Sequence, residues 1–373
     1  MKVLVVFGTR PEAIKMCPLV LCLAKQHDIE TKVCVTGQHR SMLDQVLDVF
    51  DVQPAFDLDI MKERQTLTGI TSAVLEGMGP VLDDFLPDVV LVHGDTTTSM
   101  SAALAAFYRQ IPVGHVEAGL RTHNIYSPFP EEMNRKLITA LATYFFAPTE
   151  GNRAMLAAEG IFENVFVTGN TVIDAFQYTV KADYRFHDPS LATYDWSIGK
   201  TVLMTAHRRE NLGQPLENIC EAVAKLCRQN PELRFIYPVH LNPAVREPVF
   251  RILGKLSQVA LIDPIDVEDM HNAMMRSWLV LTDSGGLQEE APHLGKPVLV
   301  LRTETERPEA VEAGTAAVVG VERDDIVAAV SDLLTDAGLY NQMSTAVNPY
   351  GDGHASERIV AALRSSTLRA RSM

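Results

Sequence analysis

Positive charge is in short supply in this chain. Lys and Arg number 33 against 47 Asp and Glu, a formal net charge of -14. That balance excludes broad binding to nucleic acid or to an anionic membrane surface, while leaving room for a local basic pocket that holds a phosphate. Cysteine is scarce and odd in number. Cys17, Cys22, Cys34, Cys220 and Cys227 lack the paired spacing of a zinc site, and several fall in apolar helical or strand contexts. All five read as core or surface thiols of a reducing compartment. Long hydrophobic runs are missing as well. The opening MKVLVVFGTRPEA has five consecutive apolar residues, Val3 to Phe7, before Gly8. That is too few for a signal-peptide core, and no later run approaches a membrane span, so a cytoplasmic location is expected. No G-x-G-x-x-G follows the first apolar run, which removes the usual signature of a dinucleotide oxidoreductase. No internal repeat stands out.

What the chain does have is length and alternation. With 373 residues, 47% of them hydrophobic, it can build two domains with separate cores. Short apolar runs at 2–7, 31–36, 89–92, 113–116, 143–146 and 164–168 read as strands. Helical patterns at 12–25, 41–50, 66–85 and 150–159 separate them. After an aperiodic stretch at 183–199, read as a linker, a second series begins with strands at 201–205, 234–238, 260–262, 278–282 and 297–301. Alternation of this kind predicts an α/β protein of two Rossmann-like, doubly wound domains. The expected boundaries are 1–170 and 171–354. A C-terminal helix (355–373) follows the joint Asn348–Gly353, and its Ile359, Val360 and Leu363 seek a partner on the first domain.

Chemistry gathers between Asp88 and Arg135. One apolar strand delivers Asp95 at its end, a second delivers Glu117, and beyond the loop Tyr126-Ser127-Pro128-Phe129-Pro130 come Glu131 and, a helical turn later, Arg135. The carboxyl ends of parallel strands face the ligand crevice, so three acids and a cation are expected there. Asp95 and Glu131 could instead cap helices. At the N-terminus, strand, Gly8-Thr9-Arg10-Pro11 turn and helix put backbone N–H groups, Arg10 and Lys15 where an anion can bind, although an ordinary strand-to-helix turn looks the same. Farther on, a strand runs into Asp283-Ser284-Gly285-Gly286 and a helix, the outline of a diphosphate site, with His207-Arg208-Arg209 at another strand end. Glu290 lies one turn inside that helix, placed either for a ribose diol or, with Glu289, as a complement to the helix dipole.

These residues fall in segments that resemble the non-hydrolysing UDP-N-acetylglucosamine 2-epimerases across nearly the whole chain. The matching segments are FGTRPEAIKM (7–16), GQHR (37–40), HGDTTT (93–98), GHVEAGLRT (114–122), YSPFPEEMNR (126–135), GNTVIDA (169–175), HRREN (207–211), YPVHLNP (237–243), TDSGGLQEEAP (282–292), ERPEAVEAGT (306–315) and NPYGDG (348–353). The resemblance implies two Rossmann-like domains facing across a cleft, the glycosyltransferase-B arrangement, and a homodimer. It implies reversible conversion of UDP-GlcNAc to UDP-ManNAc through loss of UDP to a 2-acetamidoglucal, supplying ManNAc units for surface polysaccharide. No metal or redox cofactor is called for. Carried over by position, Asp95, Glu117, Glu131, Arg135, Lys15 and His207 match catalytic or near-catalytic positions, with Asp95 favoured for proton removal. Arg10, Lys15, His207, Ser284, Gly285, Gly286, Glu290 and Arg307 match substrate-binding positions. Val267 and Met270 stand where aromatic residues often lie near the uracil. Gln38, His39, Arg64, Arg208 and His240 match the positions of a second, activating UDP-GlcNAc, with Ser41 in place of a longer polar residue. A hydrolysing epimerase or a glycosyltransferase using a UDP-sugar is the alternative, since either can use the same fold.

Overall fold

The strand Lys2–Phe7 (β1) shows why a parallel sheet forms. Val3 to Phe7 are all buried, as a strand covered on both faces requires. Odd positions Val3, Val5 and Phe7 enter one apolar core and even positions Leu4 and Val6 the other, the period of two dividing the sheet's faces. The structure, a computed structural model, describes residues 1–37, 40–62 and 65–370. It divides into two units, Met1–Tyr178 with Tyr350–Met373, and Thr179–Pro349.

In the first unit β1 is joined by Glu30–Val35 (β2), Phe56–Asp57 (β3), Val89–His93 (β4), Val113–Val116 (β5), Tyr144–Ala147 (β6) and Val165–Val167 (β7). Together they make a seven-stranded sheet ordered β3-β2-β1-β4-β5-β6-β7, in which every pairing is parallel. Helices return the chain between strands. Thr66 and Thr96 start two of them by accepting hydrogen bonds from the N–H groups of Gly69 and Ser99. The helix Ala355–Ala370 places Ile359, Val360, Ala362 and Leu363 in the core that also holds Met16, Cys17 and Leu19 of the helix Arg10–Ala24.

The second unit pairs Lys200–Thr205 (β8), Leu233–Pro238 (β9), Val259–Ile262 (β10), Leu279–Thr282 (β11), Val298–Val300 (β12) and Ala316–Val318 (β13). These six parallel strands are ordered β10-β9-β8-β11-β12-β13 over an aliphatic core. Both sheets are thus doubly wound, as the alternation predicts.

Two expectations differ from the structure. The helix Thr171–Thr179 lies almost wholly in the first unit, which takes in Thr171 to Tyr178 as well as the expected 1–170 and resumes at Tyr350. The stretch 183–199 is not a linker but a packed part of the second unit. Tyr184 and Phe186 are buried, and Phe186 faces Trp196 with ring centroids 5.3 Å apart. Tyr184 Oη donates to Asp269 at 2.8 Å. Its lack of period reflects side chains anchored one by one rather than along a face.

Among the described residues, no helix is long and apolar enough to cross a membrane.

Candidate active site

In each sheet the strand order reverses at one pair, β1/β4 in the first unit and β8/β11 in the second. Open α/β sheets bind ligands outside the carboxyl ends of the strands at such a point. The loops that leave β1 and β4 are tied to each other by Glu12, which is 2% exposed. Its Oε2 accepts from the N–H groups of Gly8 (3.1 Å) and Thr9 (2.8 Å) and from Thr9 Oγ1 (2.8 Å). Its Oε1 accepts from Thr96 Oγ1 (2.7 Å) and Ser99 Oγ (2.9 Å). A Cβ on Gly8 would lie 2.0 Å from Thr36 Oγ1, so only glycine fits where the turn leaves β1. Arg10, half-buried, then opens the helix.

Asp95 follows β4. Its Oδ2 accepts from Arg135 Nε at 2.9 Å and Nη2 at 2.6 Å, and Asn134 Nδ2 donates to its carbonyl oxygen at 2.8 Å. Arg135 Nη1 also reaches Glu132 at 3.2 Å. Neither Asp95 nor Glu131 caps a helix. Thr96 caps the helix Thr97–Phe107, and Glu131 is the first residue of the helix Glu131–Leu141, preceded by Pro130 without a side-chain cap. Glu131 instead has Oε2 buried with no hydrogen-bond partner among the described residues.

Glu117 follows β5 with φ at 63°, a left-handed conformation that costs a non-glycine residue about 1–3 kcal/mol and persists where its surroundings enforce it. Its Oε2 accepts from Lys15 Nζ and from Asn170 Nδ2 at 3.1 Å. His93 Nε2, buried and without a hydrogen bond among the described residues, lies 3.3 Å from the same oxygen. Gly119 completes the turn at φ 93°, where a Cβ would sit 2.3 Å from the Asn152 carbonyl oxygen. In this unit, then, Lys15 and Arg135 are each bound to one of the acids they were expected to accompany.

In the second unit β8 leads to His207 and Arg208, and β11 to Asp283, Ser284, Gly285 and Gly286. A Cβ on Gly285 would lie 3.5 Å from Arg208 Nη2 and 3.8 Å from Arg307 Nη2, so two guanidinium groups flank the glycine turn. Arg307 is fixed by an ion pair with buried Glu289. The helix expected to aim its dipole at a diphosphate is only Gly285–Glu290, six residues, running into the 3-10 turn Ala291–Leu294. The macrodipole sums aligned peptides, so six residues supply little of it, and the cations beside the turn are Arg208 and Arg307, the latter paired with Glu289. Ser284, half-buried, donates its N–H to Thr282 Oγ1 at 2.9 Å.

Glu290 Oε2 is 3.5 Å from Nε2 of buried His271, whose Nδ1 is 2.7 Å from Thr179 Oγ1. Met270 is half-buried on the helix Val267–Arg276, while Val267 in its first turn is buried at 4% exposure. The ring of exposed His240 faces that of His207 at a centroid distance of 5.6 Å and an angle of 5°. Two positions expected in an activator site, Arg208 and His240, therefore adjoin Gly285 and His207. Gln38, His39 and Arg64 lie outside the described residues. Burial lowers the basicity of His207, with Asp283 pulling the other way.

Among the described residues, one group has the spacing of a cation site: His187, Asp266 and Asp269 bring ligand atoms within 4.8 Å of one another. Their atoms already serve a clamp on the packed stretch. Asp269 accepts from Tyr184 Oη and from the N–H groups of His187 and Asp188, and His187 Nδ1 bonds Asp266 at 2.7 Å.

The sequence alone gives no role to Glu12, His93, Asp283 and His271, and it reads Glu289 as a complement to the helix dipole where the structure pairs it with Arg307. Glu12, His93 and Asp283 stand inside motifs that are visible in the sequence, and His271 has no local signal.

Two doubly wound parallel units, one with acids at its switch point and one with an arginine-flanked glycine turn, have the make-up of glycosyltransferase-B-like enzymes that handle nucleotide-linked sugars. Within that class, a family model described as UDP-N-acetylglucosamine 2-epimerase matches residues 22–364, and the chain belongs to that family. The UDP-N-acetylglucosamine 2-epimerase of Yersinia pestis is 56% identical over 374 residues, covering 98% of this chain and 99% of the relative. That of Escherichia coli strain K12 is 53% identical over 382 residues, with coverage of 99% and 100%. The crystal structure of the Neisseria meningitidis UDP-GlcNAc 2-epimerase bound to UDP-GlcNAc is similar with a TM-score of 0.90 at 48% identity, covering 98% of this chain and 100% of that one.

Proposed function

We propose that this protein interconverts UDP-GlcNAc and UDP-ManNAc by the non-hydrolysing route. The observation that carries the reading is the set of three carboxylates, Asp95, Glu117 and Glu131, placed by strand and helix ends of the first unit, together with membership of the family. C2 of the sugar is not next to a carbonyl, so its hydrogen is barely acidic. Its removal must be coupled to loss of UDP from C1. As the C2–H bond breaks, its electron pair becomes the C1–C2 double bond, and the C1–O pair leaves with the diphosphate. Re-addition reverses these changes with the proton delivered to the other face of C2. Carboxylates serve as proton acceptor and donor, and they stabilise cationic character at C1. Arg208, Arg307, His207 and the N–H groups at Gly285-Gly286 receive the charge that collects on the departing diphosphate. Arg10 adds charge at the first unit's loop, Glu290 is placed for the ribose, and Met270 offers a thioether to the base.

The test is UDP-GlcNAc incubated with the protein in D2O and followed by proton NMR. UDP-ManNAc should appear with deuterium at C2 and without accumulation of free UDP. Free UDP with free ManNAc would mean the hydrolysing reaction, and no change without an acceptor would mean a glycosyltransferase.

The family resemblance at Arg208 and His240 also supports activation by a second UDP-GlcNAc, working through differential affinity for two states of the enzyme. Initial rates in UDP-GlcNAc should be sigmoidal, and pure UDP-ManNAc should react very slowly until a little UDP-GlcNAc is added. His240→Ala should make the response hyperbolic, and a hyperbolic response in the unmodified protein would remove the activator from this reading. A homodimer in the cytoplasm, feeding ManNAc to surface polysaccharide, completes the proposal. Leu86, Phe107 and Tyr108 expose apolar surface at the ends of two neighbouring helices, and sedimentation would test the dimer.

A further inference from the structure

In the second unit the switch point is closed by one carboxylate. Asp283 follows β11, its N–H donates to the Thr205 carbonyl oxygen of β8 at 3.1 Å, and its side chain is fully buried. The two carboxylate oxygens are used very unequally. Oδ2 accepts from His207 N–H at 2.7 Å, Arg208 N–H at 2.8 Å and Asn211 Nδ2 at 3.0 Å, tying down the loop after β8. Oδ1 is buried with no hydrogen-bond partner among the described residues and lies 3.5 Å from His207 Nδ1. A buried acceptor left bare costs about 1–3 kcal/mol, more when charged, so an oxygen in this state calls for a use. The loop tie does not supply one, because it runs entirely through Oδ2.

The imidazole is the group that supplies it. One face of the His207 ring lies against the ring of His240, which limits its rotation, and its Nδ1 edge is turned to Asp283. A movement of a few tenths of an ångström turns the 3.5 Å approach into a hydrogen bond. We infer that Asp283 is a positioning residue for His207: Oδ1 accepts the Nδ1–H, fixing the tautomer and ring orientation so that Nε2 is presented to the diphosphate. A carboxylate behind an imidazole plays this part wherever one ring nitrogen must be kept free for a ligand. As the C1–O bond breaks, its electron pair stays on the diphosphate oxygen. The anionic diphosphate draws a second proton from solvent onto Nε2, and the resulting imidazolium donates a hydrogen bond to that oxygen through Nε2–H while its Nδ1–H stays on Asp283, whose charge balances the ring's. No proton moves to Asp283.

The inference rests on the proposed role of His207, and its test has a readout independent of turnover. Two-bond 1H–15N spectra of histidine-labelled protein, with His207 assigned by its loss in His207→Gln, report which ring nitrogen carries the proton. Near neutral pH the Nδ1–H tautomer is expected, and the Nε2–H tautomer in the unmodified protein would overturn the inference. The charged and titratable groups that act on His207 are Asp283, His240, Arg208 and Glu210. Asp283→Asn removes the first of these, a negative charge that raises the ring's pKa, so the His207 titration should move to lower pH and the tautomer should change. Asn211→Ala weakens the loop tie at Oδ2 without touching Oδ1 and should leave the tautomer as it was. In turnover, Asp283→Asn should lower kcat about 10- to 100-fold, and the loss should vanish in the His207→Gln background. Losses that multiply would reduce Asp283 to a loop tie. A normal kcat in His207→Gln alone would instead overturn the role of His207 while leaving the tautomer result standing.

Discussion

Glu131→Gln is expected to lower kcat by roughly two to four powers of ten, the range for loss of a general acid or base, while the fold survives. Asp95→Asn and Glu117→Gln should fall in the same range, and for the proposed reaction we place removal of the C2 proton on Glu131. Asp95, favoured from sequence, has its Oδ2 occupied by two hydrogen bonds from Arg135. Glu117 has its Oε2 occupied by Lys15 and Asn170. Of the three, Glu131 has a buried carboxylate oxygen with no hydrogen-bond partner among the described residues. An oxygen without a hydrogen bond is open to receive the C2 proton, whereas one already holding guanidinium or ammonium hydrogen bonds must first give one up. Glutamine keeps the shape and removes that acceptor. The measurement is steady-state kcat alongside deuterium entry at C2 in D2O, with circular dichroism to confirm folding. If Glu131→Gln keeps near-normal exchange while Asp95→Asn abolishes it, proton removal belongs to Asp95 and the hydrogen bonds from Arg135 must loosen when substrate binds.

Strand ends were legible in the sequence because an apolar run that stops at a single acid, as at Asp95 and Glu117, carries its own register. The strands β3 and β13 were missed because two and three residues at a sheet edge are too few to show a period. The aromatic stretch 183–199 read as a linker because its anchors are remote. Asp269, which holds Tyr184, lies 85 residues along the chain. His93 is a related case. It stands inside the segment HGDTTT (93–98), yet its proximity to Glu117 exists only because β4 and β5 are neighbours, with His93 paired to Val116. Residues that touch the ligand repeat as motifs, whereas residues that position them are defined by which strands are adjacent, and that is not written locally.

Glu12 is the clearest such residue, and its replacement should have the largest effect on stability. Glu12→Ala would leave the N–H groups of Gly8 and Thr9 and the Thr9 hydroxyl without their acceptor in a site that is 2% exposed, and would take Oε1 away from the hydroxyls of Thr96 and Ser99, which also reach Ser99 Oγ at 3.2 Å and the His93 carbonyl oxygen at 2.7 Å, respectively. The hydroxyls can rotate to new partners, but the two backbone N–H groups cannot. At about 1–3 kcal/mol for each unsatisfied donor, plus the space vacated, the loss comes to about 3–5 kcal/mol, a large part of the ~5–15 kcal/mol a domain has. Glu12→Gln separates charge from shape. Its amide oxygen can face Gly8 and Thr9 while its NH2 meets the hydroxyls of Thr96 and Ser99, so about 1–2 kcal/mol is expected. Both tryptophans, Trp196 and Trp278, belong to the second unit. In urea, the Glu12→Ala transition seen by far-UV circular dichroism should therefore move to lower denaturant while that seen by tryptophan fluorescence stays near its original midpoint. Equal movement of both would mean that the two units unfold together. No movement of either would show that the Gly8 and Asp95 loops hold their places without Glu12, and then Arg10 and Asp95 must be positioned by their own partners alone.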